Sequence, residues 1–214
     1  MGAPASPLPS LRSDARRNRD RIVEVARELF AQRGLAVPMA SIARRAGIGT
    51  ATLYRRFPTK DELVTAVFAE QFATCVAAVE DALSDPDPWR GFRMMIADVC
   101  VLQARERGFG AAFLASFPDA GTIGEDRARA VRGYTELVAR AQAAGRLRPD
   151  FVPSDMSLIV ASVAGLVELY PRTAEANARR LVGYFLAAFA ADHDGPPLSP
   201  SPLTLPEVFE TTCT

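Results

Sequence analysis

The apolar positions of this 214-residue chain recur with helical spacing wherever they recur at all. Ile22, Val25, Ala26, Leu29 and Phe30 fall at i, i+3, i+4, i+7 and i+8, one face of an α-helix, and Gly34 follows as a stop. The pattern predicts a first helix over residues 16–33. Pro38 suits a first helical position, and Met39, Ile42, Ala43 and Ala46 make a two-turn helix that Gly47 ends. A second short helix fits Thr50–Phe57. Thr59, with Glu62 three residues on, forms a capping box that opens a long helix with Val64, Val67, Phe68, Phe72, Cys75, Val76, Val79 and Leu83 on its apolar stripe. The helix stops at Asp85-Pro86-Asp87-Pro88. At 1.5 Å per residue it would be about 35 Å long, enough to connect one compact unit to another.

Beyond this break the chain reads as a bundle. One helix is expected over 88–107 with Phe92, Met95, Ile96, Val99 and Leu102 inward, and a short one over Phe109–Phe117 ends at Pro118. Thr122 and Glu125 make another capping box, opening a helix that Gly145 closes; Ser154 starts the next, which reaches Pro171, and the last covers 172–191. A Pro-rich segment without helical period follows and reads as a flexible tail. No strand alternation, long heptad array or 20- to 50-residue repeat is present in the pattern, so an all-α fold of about nine helices is expected.

Charge changes the picture because the zero net charge is unevenly spread. Residues 1–60 hold twelve basic side chains against four acidic ones, a surplus of +8, and the rest of the chain carries −8. A basic segment suits a polyanion, since neutralising phosphates releases their condensed counterions. The parts for catalysis are missing: His193 is the single histidine, and Cys75, Cys100 and Cys213 are isolated, so no Ser/His/Asp or Cys/His set, zinc site or disulfide framework can be assembled. The three cysteines are expected as buried thiols. Gly47 and Gly49 follow no strand and no Walker lysine accompanies them, which argues against a phosphate loop. No enzyme and no cofactor are therefore expected. Met1–Ser10 lacks a basic start followed by an apolar stretch, and no apolar run reaches the ~20 residues of a membrane span, so a cytoplasmic location with no membrane partner is expected.

The informative stretch is Ser41–Leu63. Two short helices meet at Gly47, which allows a left-handed turn; Ile48 sits between them, Ile42, Ala43 and Leu53 close the seam, and helix one packs the pair. Thr50, Thr52, Arg55 and Arg56 are left facing outward. Ile42, Ala43, Ala46, Gly47, Ile48, Thr52, Leu53, Tyr54, Phe57, Lys60 and Leu63 resemble the signature of the TetR family of regulators, over a match running from Arg16 to Cys75. Gly49 and Ala51 depart from it, standing where many members have Ser and Gly, so position 49 is not counted as a reader. The resemblance implies a helix-turn-helix whose second helix enters the major groove of a double-stranded operator, phosphates held by the Tyr54 hydroxyl and Lys60, and a homodimer. Thr50, Thr52 and Arg55 are expected at base edges; Tyr54, Arg56 and Lys60 at the backbone; Arg44 nearby, as a solvated face or a further contact.

The expected layout is a flexible leader over 1–15, a DNA-binding domain over 16–75, a ligand-binding and dimerisation domain over 76–191, and a tail over 192–214. Met156, Ile159, Val160, Val163 and Val167 on one helix, with Leu181, Val182, Phe185, Ala188 and Phe189 on the next, suggest a two-fold four-helix interface, and Ala161, Gly165 and Gly183 would permit close crossing. Phe92, Met95, Val99, Phe113, Tyr134 and Leu137 are candidate contacts for a small apolar effector that releases a repressor from DNA. The alternative is an effector-independent DNA-binding or architectural protein.

Overall fold

The computed structural model describes residues 8–110, 112, 121–202 and 204, with the backbone alone at 8–13, 15 and 121–127. The described residues are all-α. Nine helices are found among them: α1 Leu8–Arg33, α2 Met39–Arg45, α3 Thr50–Arg56, α4 Lys60–Val67, α5 Ala69–Ser84, α6 Pro88–Arg105, α7 Gly121–Ala143, α8 Asp155–Leu169 and α9 Ala174–Phe189. An isolated bridge between Leu147 and Ala190 is the one strand-like pairing among them. Two compact units divide between Val67 and Phe68, eight residues ahead of the boundary expected from the sequence.

In the first unit α1 packs on α2 and α4, and α2 packs on α3. Ile22, Ala26, Leu29 and Phe30 of α1, Ile42 and Ala43 of α2, Leu53 of α3 and Leu63 of α4 are all buried, which is the core that the periodicity predicts. α1 begins at Leu8, so its backbone takes in half of the segment read as a leader.

The second unit is organised around α6, which packs against α5, α7, α8 and α9. Asp87 accepts from the backbone N–H groups of Trp89 and Arg90 at 3.0 and 3.2 Å with Pro88 at the first position, so the helix start expected at the Asp-Pro break is a side-chain cap. Asp85 also serves this turn, accepting from Asp87 N–H at 2.8 Å and pairing with Arg90. Aromatic rings then link α6 to the far end of the bundle: Trp89 on Phe92 at 5.7 Å, Phe92 on Phe151 at 5.5 Å and Phe151 on Phe189 at 4.9 Å.

Three expectations are corrected. The continuous helix from Thr59 to Leu83 is two helices, because Phe68 leaves helical geometry at φ −110°, ψ 20°. Apolar periodicity records which residues are buried, not whether the hydrogen-bond ladder runs on; Phe68 is buried, with its ring 5.7 Å from Phe109, while Phe72 lies 5.3 Å from the same ring. The residues proposed for a dimer seam are mostly internal: Ile159, Val160, Val163, Val167, Val182 and Phe189 are buried within the chain. The segment expected as a flexible tail is fastened at its start. Arg148 donates to the Ala188 and Pro196 carbonyls, Leu198 N–H donates to Asp150 at 2.7 Å, and the Ser154 and Ser201 hydroxyls meet at 3.2 Å. Arg148 and the Leu198 N–H together hold the Asp150 carboxyl down at about 2. The short helix expected over Phe109–Phe117 and the Thr122–Glu125 capping box lie largely outside the described residues, as do Phe113 and Cys213. Cys75 and Cys100 are free and buried, and burial pushes both thiols up to about 12.

α5 and α6 approach so closely that a Cβ on Gly91 would lie 2.5 Å from the Ala82 carbonyl oxygen. Alanine is favoured over glycine by about 1 kcal/mol in a helix interior, but here the obstruction is backbone. Gly91→Ala is expected to destabilise by about 1–3 kcal/mol, seen as a lower urea midpoint; an unchanged or higher midpoint would show that the helices can separate freely.

Candidate nucleic-acid interface

Two short helices cannot hold a fixed angle by themselves, and the turn between them is set by backbone hydrogen bonds. Ala46 N–H donates to Ile42 C=O, Gly47 N–H to Arg44 C=O and Ile48 N–H to Ala43 C=O, at 2.8, 3.2 and 3.0 Å. This is a Schellman ending, and it needs a left-handed residue at Gly47, whose φ is +67°. Gly49 then leads into α3 in an extended conformation with φ −70°, ψ 145° and no side-chain cap, so the departure from serine is met by backbone geometry alone. At the far side Thr59 Oγ1 accepts from Glu62 N–H at 3.1 Å, the first half of the capping box expected at the start of α4.

α3 presents two faces. Leu53 is fully buried and Phe57 nearly so, while Thr50, Tyr54, Arg55 and Arg56 are exposed, Tyr54 to 47%. Thr52 is half-buried, with its hydroxyl beside Gly49, and Arg44 on α2 is exposed. Lys60 at the start of α4 is half-buried, and desolvation lowers its pKa against the opposing pull of Asp61. Each residue singled out in the sequence thus has some surface available, with Thr52 and Lys60 the least open. Arg45, next to Arg44 in the chain, instead faces α1 and pairs with Glu28 at 3.5 Å.

Two cations that sequence reasoning did not assign to this surface come from α1. Arg19 lies over the Phe57 ring at 5.1 Å, and the Arg21 guanidinium stands beside the turn, 3.1 Å from where a Cβ on Gly47 would sit. The signal was present as a helical-wheel position, but without the α1 crossing it could not be aimed at α3.

Comparison with known proteins agrees with this geometry. The family model described as bacterial regulatory proteins, tetR family, matches residues 22–67. HTH-type transcriptional regulators of Staphylococcus aureus strains are 46% identical over 54 residues, 25% of this chain and 29% of theirs, so the match spans under a third of those relatives. The TetR transcription regulatory protein from Mycobacterium vanbaalenii is 31% identical over 84% of this chain and 99% of its own, with a TM-score of 0.43. The chain belongs to the TetR family. PfmR from Thermus thermophilus, a TetR-family regulator 25% identical over 78% of this chain and 95% of its own, has the same fold with a TM-score of 0.53. The regulators of this family are DNA-binding transcription regulators and not enzymes. Among the described residues no single helix is long and apolar enough to cross a membrane.

The two faces of α3 give a direct check. Leu53→Ala is expected to destabilise by about 2–5 kcal/mol, the range for emptying a leucine site in a core, whereas Tyr54→Phe should stay within about 0.5 kcal/mol of the parent, as for an exposed site. Denaturant unfolding of the two variants measures both; a large loss for Tyr54→Phe would place its hydroxyl in the fold rather than on the surface.

Proposed function

We propose that this TetR-family regulator is a cytoplasmic homodimeric repressor that holds a two-fold symmetric operator through α3 and leaves it when its second unit binds a small, largely apolar effector. The observation that carries the DNA reading is the exposed row Thr50, Tyr54, Arg55 and Arg56 backed by a fully buried Leu53. In this reading Thr50, Thr52 and Arg55 approach base edges, while Tyr54, Arg56 and Lys60 hold phosphates and Arg44 adds a further backbone contact. Operator fragments selected from random DNA supply the site for the test. Lys60→Ala should weaken all sequences about equally and lower the salt slope by about one, whereas Arg55→Ala should cost about 1–3 kcal/mol and relax preference at one base pair. If neither substitution changes affinity, the docking mode is wrong. Coating of DNA without a preferred site would favour an architectural protein instead.

The homodimer is supported by what α8 and α9 leave outside. Leu158, Leu169, Tyr170 and Tyr184 are exposed, and a Cβ on Gly165 or Gly183 would meet nothing within 4 Å. These residues alternate with the buried stripe and form a second, outward face that suits a four-helix seam with a symmetry mate. Gly165→Glu has room in the single chain and improves helix propensity by a few tenths of a kcal/mol or more, so it should leave folding intact and convert dimer to monomer in sedimentation equilibrium. A Gly165→Glu protein that stays dimeric would place the seam elsewhere.

The effector reading rests on a second unit of more than dimerisation size with an aromatic and aliphatic interior: Phe92, Met95, Val99, Tyr134 and Leu137 are all buried there. Coupling to the operator requires unequal affinity of the effector for the DNA-competent and released states; a difference of about 1–3 kcal/mol alters operator affinity some 5- to 150-fold.

A further inference from the structure

A surface cation is either neutralised by a carboxylate of its own chain or left for a partner, and α1 carries both kinds. Arg17 pairs with Asp14 on the same helix. Arg19 and Arg21 are exposed and, among the described residues, have no acidic partner. What they face instead is α3 and the turn that leads into it.

Their places on α1 decide this. Ile22 points into the core, and at roughly 100° per residue Arg19 lies about 60° to one side of it and Arg21 about 100° to the other. Asp20, between them in the chain, points roughly opposite to Ile22 and is exposed. Arg21 stands at the turn before α3, its Nη2 3.1 Å and its Cζ 3.9 Å from the position a Cβ on Gly47 would take. The guanidinium thus occupies room that a side chain at Gly47 would contest. Arg19 lies at the other end of the helix, with Cζ 5.1 Å from the ring centroid of Phe57, the residue that caps α3. A guanidinium held over a ring keeps the donors at its edge available and has less freedom left to lose on binding. The two cations therefore bracket α3, and the exposed Thr50, Tyr54, Arg55 and Arg56 lie between the bracketed ends.

From this bracket we propose that Arg19 and Arg21 hold DNA phosphates, one beside each end of α3, and so set the register of the reading helix without choosing a base. The assignment rests on the α3 docking reading above and adds a surface of α1 to it. A guanidinium fork matches a phosphate bidentately. Such contacts orient a protein on the duplex and carry no sequence information. Each one also releases condensed counterions, so it contributes about one unit to the dependence of log affinity on log salt. Arg17, turned about 140° from Ile22 and already paired with Asp14, lacks both the direction and the free charge.

The test is a salt series of fluorescence anisotropy on the full-length protein, with the selected operator and with a random-sequence duplex. Arg19→Gln and Arg21→Gln should each weaken both duplexes by the same factor and leave the preferred bases unchanged. The loss of affinity between about 50 and 200 mM salt should shrink roughly threefold for each variant, the effect of one phosphate contact. Arg19→Lys and Arg21→Lys keep the charge and should restore the slope. Arg17→Gln should leave the slope as it is. Urea midpoints accompany every variant, and Arg19→Met, which keeps an apolar stem against Phe57, repeats the measurement where Arg19→Gln folds poorly. An unchanged slope for either position overturns the proposal, as does a slope that lysine fails to restore, because the side chain then serves the fold alone. A shift in base preference, or an equal loss from Arg17→Gln, overturns it too. Intact slopes for the Arg19 and Arg21 variants beside weakened Arg55→Ala and Lys60→Ala proteins leave the α3 docking reading standing while this assignment falls. The expected slopes with no effect from Arg55→Ala or Lys60→Ala do the reverse.

Discussion

A helix that is apolar on several sides can be stable in water only if other helices surround it, and α6 is such a helix. Trp89, Phe92, Met95, Ile96, Val99, Cys100 and Ala104 bury around more than one face of it, and α5, α7, α8 and α9 each pack against it. The rest of the second unit follows from that requirement. Arg140 reaches the Leu83 and Asp85 carbonyls and so closes the end of α5 over the start of α6. Gln142 donates to the carbonyls of Arg148, Pro149 and Phe151, holding the loop that delivers Phe151 to Phe92. The Pro-rich segment is drawn onto the same loop through Arg148 and Asp150, which explains why a sequence without helical period still takes fixed contacts.

The first unit solves a different problem with far less surface. Three short helical pieces and α1 cannot bury much, so the angle between α2 and α3 depends on one residue that accepts a left-handed backbone. Gly47 supplies it, and the three hydrogen bonds across the turn follow. Once the turn is fixed, Leu53 is committed inward and Tyr54 and Arg55 outward, because side chains on α3 diverge by about 100° per residue. Local backbone chemistry thereby determines which residues a polyanion can meet.

The same contrast between local and distant constraints decides what could be read from the chain. The helix-turn-helix was legible because its parts are local: a Schellman glycine, a capping box at Thr59 and Glu62, and a seam residue at each expected position. The break at Phe68 was not, since Val67, Phe68 and Phe72 keep helical spacing through it and the ring that Phe68 and Phe72 pack against, Phe109, lies about forty residues away in the sequence. The apolar stripes of α8 and α9 that the sequence suggested for a seam face inward. Valine and isoleucine at positions 159, 160, 163 and 167 are the stronger apolar stripe and went to the chain's own core, leaving the weaker set around Gly165 and Tyr170 outside. Arg19 and Arg21 escaped notice for the same reason as Phe68: their relevance depends on a crossing, not on spacing.

The buried glutamines mark the opposite case, in which the sequence offered a signal and the fold gave it meaning. A glutamine inside an apolar period looks like an interruption to be tolerated, and Gln71 and Gln103 sit on otherwise regular stripes. A core selected for stability alone would favour leucine at both positions, since an unpaired buried amide costs more than the packing it provides. Their presence therefore sets an energetic cost against the otherwise consistent packing of the second unit, and such local conflicts concentrate where a fold is shaped for something other than its own stability.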